Sequence, residues 1–414
     1  MTILLWIIAL FPLAIALYAY GLYPLVLRLL ARRCAAPTAM VQDEWPLISI
    51  SLPVYNEATQ IRGALDSLIA LDYPSDRRQI LVISDASDDG TDDIVREYAD
   101  QGIELLRMPK RGGKTAGENA GAKRVRGVIV VNTDASIRIR PDALKKLIVR
   151  FADPDVGVAS GRDLSVASGS ADANAGEAGY VGYEMSVRAL ETRAGGIIGA
   201  SGCFYAIRTH LHQVPLPEHL SRDFASALIA RDHGFRAVSV DAAVCLVPRT
   251  ASLKREYWRK VRTIGRGIQT LYHLRHLLNP RCHGRFAWML WSHKVARWAV
   301  APAAVLGVVP LIVLAILHES AVAAGALLAA APALTLALVG WNWPTDRPMP
   351  RMVSTCAAAV TANLSVLHAV LHALSSTDAT WEPTRREPIP EGVAGENTNS
   401  RSELLRGIGA RDVR

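Results

Sequence analysis

The stretch ISISLPVYNEATQIRGALDSL (Ile48–Leu68) decides the fold, and ISDASDDGTDDI (Ile83–Ile94) answers it. In each, a short apolar strand runs into polar residues and then into a helical pattern. Ligands of open α/β sheets collect where such strands end, so Tyr55, Asn56, Glu57 and Asp85 are expected to line one crevice. A crevice of that kind suits a nucleotide. Outward from this pair the alternation continues, with strands at 47–53, 79–84, 103–107, 127–132 and 156–161 and helices at 58–71, 92–99, 115–125 and 141–151. Strands separated by helical patterns predict βαβ units and an α/β domain with a mostly parallel sheet. Ser165–Gly179, rich in small residues, reads as a flexible excursion. It is followed by a helix at Tyr180–Arg193 and a strand near Arg236–Val240.

Half of the 414 residues are hydrophobic, and they are concentrated rather than spread. Ile3–Leu27 carries no charge and is long enough to cross a bilayer, as are 299–317, 321–339 and 353–374. The expected plan is a transmembrane anchor at 1–33, a catalytic-sized domain at 46–250 and basic amphipathic interface helices at 251–298. A membrane region at 299–374 and a polar tail at 375–414 complete it. The first segment lacks a basic leader and is followed by Arg28, Arg32 and Arg33, the pattern of a retained anchor rather than a cleaved signal. Basic residues just after it, with Lys294 and Arg297 before the second span, place the domain in the cytoplasm at the inner (plasma) membrane. The far end stays open: three spans there would carry the tail outside, whereas Arg347 and Arg351 prefer the inside. Val353–Leu374, with Asn363, His368 and His372, reads as spanning or as interfacial or re-entrant.

The net charge of +8 gathers at Arg28–Arg33, Lys254–Arg266 and Arg275–Arg297. Anionic headgroups or a diphosphate account for these clusters. A nucleic-acid partner is not expected, because the basic residues are not interleaved with exposed aromatics on a soluble module. The five cysteines are scattered without a CxxC pair, which argues for a reducing compartment and against zinc.

Five further stretches carry chemistry. RGGKTAGENAG (Arg111–Gly121) ends like a phosphate loop, but GxxxxGK[ST] would require glycine where Met108 stands, so the NTPase reading fails. VIVVNTDASIRIRPDAL (Val128–Leu144) ends a strand at Asp134. GASGCFYAIR brings Ser201 and Gly202, and SRDFASALIARDHGFRAVSVDA (Ser221–Ala242) sets Asp223 at a helix start. The basic helix Leu253–Leu274 carries Arg259 and Arg262. Singly, each has a plainer reading: Glu57, Asp85 and Asp223 as helix caps, Lys114 as an exposed lysine, the basic helix as one lying on headgroups.

Taken in order from Pro46 to Leu274, these stretches resemble the membrane-bound family 2 inverting glycosyltransferases, whose catalytic domain has the GT-A fold. The resemblance extends to polysaccharide synthases of the cellulose, hyaluronan and poly-N-acetylglucosamine type. It implies a hexosyl- or N-acetylhexosaminyltransferase that takes a nucleotide-diphosphate sugar, with UDP as the expected nucleotide, to a lipid-linked or polysaccharide acceptor hydroxyl. Pro53, Tyr55, Glu57, Asp85 and Lys114 would hold the nucleotide, and Asp134 the metal, Mg2+ or Mn2+. Asp223 would be the catalytic base, with Asp232 as the alternative. Ser201, Gly202, Arg259 and Arg262 would face acceptor or diphosphate. Membrane lipids and subunits of an envelope or exopolysaccharide assembly system are the expected partners.

The chain departs from the family pattern at three places. Asp134-Ala135-Ser136 stands for Asp-Xaa-Asp, Arg222-Asp223 for Glu-Asp, and Arg259-Lys260-Val261-Arg262-Thr263 for Gln-Xaa-Xaa-Arg-Trp. The missing tryptophan counts against a processive synthase secreting its polymer. The altered acidic positions allow a catalytically silent, nucleotide-binding scaffold.

Overall fold

The computed structural model describes residues 1–32, 44–166, 175–248, 252–344, 347 and 349–375. Among them, eight strands make one sheet: β1 (Ile48–Val54), β2 (Arg78–Ser84), β3 (Ile103–Arg107), β4 (Ile129–Thr133), β5 (Arg138–Ile139), β6 (Val156–Val166), β7 (Phe204–Arg208) and β8 (Arg236–Pro248). Their spatial order is β3-β2-β1-β4-β7-β6-β8-β5. The first four positions run parallel, and β8 is parallel to β6. β7 is antiparallel to both β4 and β6, and β5 is antiparallel to β8. The mostly parallel, Rossmann-like sheet expected from the alternation is present. The winding reverses between β1 and β4, which opens a crevice at their carboxyl ends.

Every residue of β1 and of β4 is buried, because helices cover both faces of the sheet. On one face lie helices Ile61–Ile69 and Ala143–Ile148, which contribute Ile61, Leu65, Leu144 and Leu147 to the core. Helix Arg222–Asp232 closes the other with Ala225 and Ile229, packed with Tyr205 and Ile207 of β7. Each fully buried leucine or isoleucine contributes roughly 1.5–3 kcal/mol.

The sequence reading is corrected in three places. Its flexible excursion at Ser165–Gly179 is narrower: β6 continues to Val166 and a helix begins at Ala175, while 167–174 lie outside the described residues. FYAIR, unassigned in sequence, is β7, a strand inserted against the parallel direction. The amphipathic WSHKVARW (Trp291–Trp298), at the end of the interface helices expected at 251–298, is partly withdrawn from the surface. It sits inside a helical stretch, Pro280–Ile316, with Ser292, His293 and Arg297 buried.

Four helices among the described residues are long and apolar enough to cross a membrane: Thr2–Arg32, Pro280–Ile316, Ala321–Trp341 and Arg351–Ala373. The second has 37 residues, about 55 Å at 1.5 Å each, well beyond a hydrocarbon core of about 30 Å. Its first part therefore serves the domain, packing Phe286, Met289 and Leu290 with Tyr23, Leu27, Phe224 and Leu228 in one apolar cluster. A π turn interrupts the first helix at Tyr18–Leu22 and the second at Trp291–Val295. The two turns meet, with Tyr18 Oη 2.6 Å from Ser292 Oγ. Arg351–Ser375 is one unbroken helix. Asn363 donates to its own Ala359 carbonyl at 2.9 Å, and His368 Nδ1 lies 3.0 Å from Tyr257 Oη on the basic helix Leu253–His273.

Candidate functional site

The ends of β1 and β2 are stitched together by their own polar residues. Asn56, in the left-handed region at φ 52°, exchanges hydrogen bonds with Asp88: its Nδ2 donates to the carboxylate at 2.7 Å and its Oδ1 accepts from the Asp88 N–H at 3.0 Å. The Glu57 N–H donates to Thr91 Oγ1 at 2.9 Å. Tyr55 carries the Arg111 guanidinium over its ring, 4.1 Å from the centroid. Asp85 is buried, and its two oxygens accept from the Gly112 and Gly113 N–H groups at 2.7 and 2.8 Å. Gly113, at φ 89° and ψ 170°, turns the loop into helix Lys114–Gly121, in a conformation side chains oppose. Asp85 thus fixes the loop that aims Lys114. Pro53 lies buried within β1 opposite Ile83.

Lys114 reaches across the crevice. Its Nζ is 2.6 Å from Asp134 Oδ1 and donates to the Gly202 carbonyl at 3.2 Å. Burial works against its ammonium, but the carboxylates of Asp134, Glu118 and Asp223 outweigh it and hold the pKa above the usual lysine value. Glu118, one helical turn after Lys114 on the same face, is only 1% exposed. Burial pushes it up to about 7, against the pull of Lys114 and Arg222. Arg222 turns inward beneath it, donating to the His212 carbonyl at 2.8 Å and to Asn119 Oδ1, with Nε 3.8 Å from Glu118 Oε2. Burial and Arg222 in turn push His212 down to about 3.

Asp223 opens helix Arg222–Asp232. Its Oδ1 accepts from its neighbour's N–H, Phe224, at 2.8 Å and from Ser221 Oγ. Its Oδ2 rests against Gly202, where a β-carbon would stand 2.6 Å from that oxygen, so any larger residue there would displace the carboxylate. Ser201 donates to both oxygens of Asp163, at 2.6 and 2.8 Å. Asp232, the alternative base, lies at the far end of the helix with its Oδ1 2.8 Å from His276 Nε2, and lines neither cavity described next.

Two cavities meet at Asp223. The smaller, about 240 Å³, gathers Lys114, Asp134, Gly202 and Asp223 with Arg259 and Arg262 of the basic helix. The larger, about 360 Å³, lies toward the membrane helices and is lined by Ser201, Gly202, Asp223, Tyr20, Lys294 and Trp298 among others. Asp163, Gly202, Ser221, Asp223 and Thr263 belong to both. Arg259 is held by Glu256 through two hydrogen bonds at 2.8 and 2.6 Å. Pro53, Tyr55, Glu57 and Asp85 line neither cavity; Tyr55 and Glu57 stand half-buried at the adjoining strand end, and buried Asp85 reaches Lys114 through the loop.

Sequence reading missed Glu118, Asp163 and Arg266, all three in the smaller cavity. Glu118 stands four residues after Lys114, and Asp163 follows a strand pattern, so both carried a legible signal. Arg266 stands one helical turn after Arg262 within the basic cluster Lys254–Arg266, and so carried the same kind of signal. For a metal, Asp134 offers one partly exposed carboxylate, and among the described residues no three His, Cys, Asp or Glu side chains cluster to hold an ion. That donor set fits a cation that arrives with a diphosphate and keeps its waters, rather than one caged by protein.

The sheet, the crevice at its winding reversal and the flanking apolar helices define a GT-A-type α/β domain with membrane-length helices at both ends. Within it, residues 49–211 match the Glycosyl transferase family 2 domain. Asp223 lies beyond the matched residues. An N-acetylglucosaminyltransferase of Mesorhizobium japonicum is 31% identical over 124 residues, 29% of each chain. Glycosyltransferase AglE of Haloferax volcanii is 28% identical over 118 residues, 28% of this chain and 39% of its own. These matches span well under half of either relative. Among solved structures, the mannosyltransferase PcManGT from Pyrobaculum calidifontis, in complex with GDP-Man and Mn2+, superposes with a TM-score of 0.69. That alignment covers 89% of this chain and 99% of the other at 22% identity, which establishes a shared fold.

Proposed function

We propose that this protein is an inverting glycosyltransferase that moves one sugar from a nucleotide-diphosphate donor, UDP-linked by the sequence reading, to an acceptor hydroxyl presented from the membrane side. The observation that carries this reading is the meeting of two cavities at one carboxylate, Asp223. The donor's nucleoside lies over Tyr55 and Glu57 at the strand ends. Its diphosphate enters the smaller cavity among Lys114, Arg259 and Arg262. There Lys114 exchanges Asp134 for phosphate oxygens, and Asp134 becomes available to a cation. A divalent ion, Mg2+ or Mn2+, held by Asp134 with the donor's phosphates, supplies neutralisation of the charge that grows on the leaving diphosphate.

The acceptor hydroxyl approaches from the larger cavity. Asp223 Oδ1 is already engaged by Ser221 and Phe224, so Oδ2 takes the proton as the hydroxyl attacks the anomeric carbon. Donor on one side of Asp223 and acceptor on the other give an in-line approach, and hence inversion. The GT-A-folded neighbour in complex with GDP-Man and Mn2+ supports the donor class and the metal. The domain would face the cytoplasm of a cell whose plasma membrane holds the helices.

The test is nucleotide release by the full chain in nanodiscs, with a panel of UDP- and GDP-sugars, Mn2+ or Mg2+, and membrane-lipid extract as acceptor. Donor-selective, metal-dependent release that drops about 100-fold or more in Asp223→Asn is expected. Nucleotide binding with no turnover of any donor would overturn the reading in favour of a silent scaffold.

A further inference from the structure

Ser201 and Gly202, neighbours in the chain, rest on two different carboxylates. Gly202 lies against Asp223 Oδ2, while the Ser201 hydroxyl donates to the two oxygens of Asp163 at 2.6 and 2.8 Å. Consecutive Cα atoms are about 3.8 Å apart, so one short turn sets both carboxylates at the same wall. Ser201 is itself buried, its N–H donating to Ser160 Oγ at 2.8 Å and its Oγ accepting from the Cys203 N–H at 3.1 Å. Asp163 belongs to β6 and stands in register with Cys245 of β8, whose Sγ lies 3.3 Å from Oδ1. Turn and strand together fix the Asp163 side chain.

The residues that border both cavities are Asp163, Gly202, Ser221, Asp223 and Thr263. Gly202 turns its carbonyl to Lys114, Ser221 donates to Asp223, and Asp223 is the proposed base. Thr263 offers a neutral hydroxyl, which leaves Asp163 as the charged group at the junction that the transfer has not used. A carboxylate has about four acceptor positions. Ser201 and Cys245 bring one hydrogen each, so half-buried Asp163 keeps room for donors from the cavity.

With the diphosphate in the smaller cavity and the acceptor hydroxyl entering from the larger, the ring of the transferred sugar sits at this junction. That ring presents hydroxyl donors around its rim, and a fixed carboxylate accepts them more strongly than a neutral group does. We infer that Asp163 reads a hydroxyl of the transferred sugar and so sets which sugar the site accepts. This rests on the reading of Asp223 as the place of transfer and adds a specificity-determining residue to it. A sugar epimerised at that position leaves the carboxylate without its partner, and the site rejects it.

The experiment is calorimetric titration of the detergent-purified full chain, with Mn2+ present, by UDP, UDP-glucose, UDP-galactose, UDP-N-acetylglucosamine, GDP and GDP-mannose. Wild type is compared with Asp163→Asn, Asp163→Ser and Ser201→Ala. The Asp163→Ser variant keeps a hydrogen-bond partner for Ser201 should the amide disturb folding. Both Asp163 variants are expected to bind the best of these sugar nucleotides about tenfold or more weaker than wild type, with the free nucleotide unchanged. The gap between that sugar nucleotide and the others narrows accordingly. Ser201→Ala, which leaves the carboxylate in the cavity, retains most of the preference. Equal weakening of sugar nucleotide and free nucleotide, or of neither, would overturn the inference. So would a loss in Ser201→Ala as large as in Asp163→Asn, which would make Asp163 a prop for that turn. A wild type that binds no nucleotide would instead sink the donor reading on which the inference rests.

Discussion

Arg222 and Glu118 face each other beneath the smaller cavity, Nε 3.8 Å from Oε2, both withdrawn from solvent. They come from different helices, Arg222 from Arg222–Asp232 and Glu118 from Lys114–Gly121. Where the family's motif has an acid before the base, this chain has an arginine, and a buried acid stands opposite it on the loop helix. An unpaired buried charge at either place would cost several kcal/mol.

The Glu118 carboxyl makes stability depend on pH. Its value rises from 4.5 to about 7 in the folded protein, chiefly by burial. A folded pKa above the unfolded one means that the folded state keeps its proton where the unfolded chain has lost it. The contribution is therefore complete below about pH 4.5 and disappears as pH climbs through about 7, on the order of 3 kcal/mol between the limits. Glu118→Gln should flatten that decline in thermal melts of the detergent-solubilised protein. Parallel wild-type and variant curves across this window would show a carboxyl titrating as though exposed.

Gly202→Ala tests the geometry at the base. Its β-carbon would stand 2.6 Å from Asp223 Oδ2, so the carboxylate must swing away from its place between the cavities. A displacement on the order of 1 Å costs about 100-fold in turnover. Nucleotide affinity should stay near wild type, since Lys114 uses only the residue's carbonyl. Full activity in this variant would mean that Oδ2 is not the oxygen that matters.

Asp85→Asn should act at a distance, through the loop. The carboxylate accepts from two N–H groups; the amide has one acceptor oxygen and turns a donor toward the other N–H. Leaving a buried N–H unpaired costs about 1–3 kcal/mol, enough to release the loop and Lys114 with it. UDP or GDP affinity, measured by calorimetry with Mn2+, should fall roughly tenfold or more. An unchanged dissociation constant would leave Asp85 with no part in positioning the lysine.

Much of this was legible in the chain. The parallel half of the sheet follows from apolar strands running into polar helix starts, a local pattern. Lys114, Asp134, Gly202, Asp223, Arg259 and Arg262 do converge on one cavity. β7 was not legible, because its direction is set by what it pairs with rather than by FYAIR itself. Nor was the burial of His293 and Arg297: a basic stretch before a span reads as headgroup contact until Glu184 and Glu191 arrive from a helix more than a hundred residues earlier. Long-range charge pairing leaves no local periodicity to read.

That pairing yields the last prediction. Glu191 is fully buried, and one of its oxygens accepts from Tyr23 Oη at 2.5 Å while lying 2.5 Å from His293 Nδ1. The node ties the first membrane-length helix, the second and the catalytic domain at a single carboxylate. Tyr23→Phe removes one donor while keeping the ring that packs against Trp288 at 5.2 Å. A buried carboxylate short of one hydrogen bond costs about 1–3 kcal/mol, so the variant should melt several degrees lower in detergent. Tyr20→Phe, at a residue 43% exposed, is the control and should shift the melt little. If Tyr23→Phe melted like that control, the node would add nothing to the apolar seam of Leu27, Phe224, Leu228 and Met289 and the Tyr18–Ser292 contact.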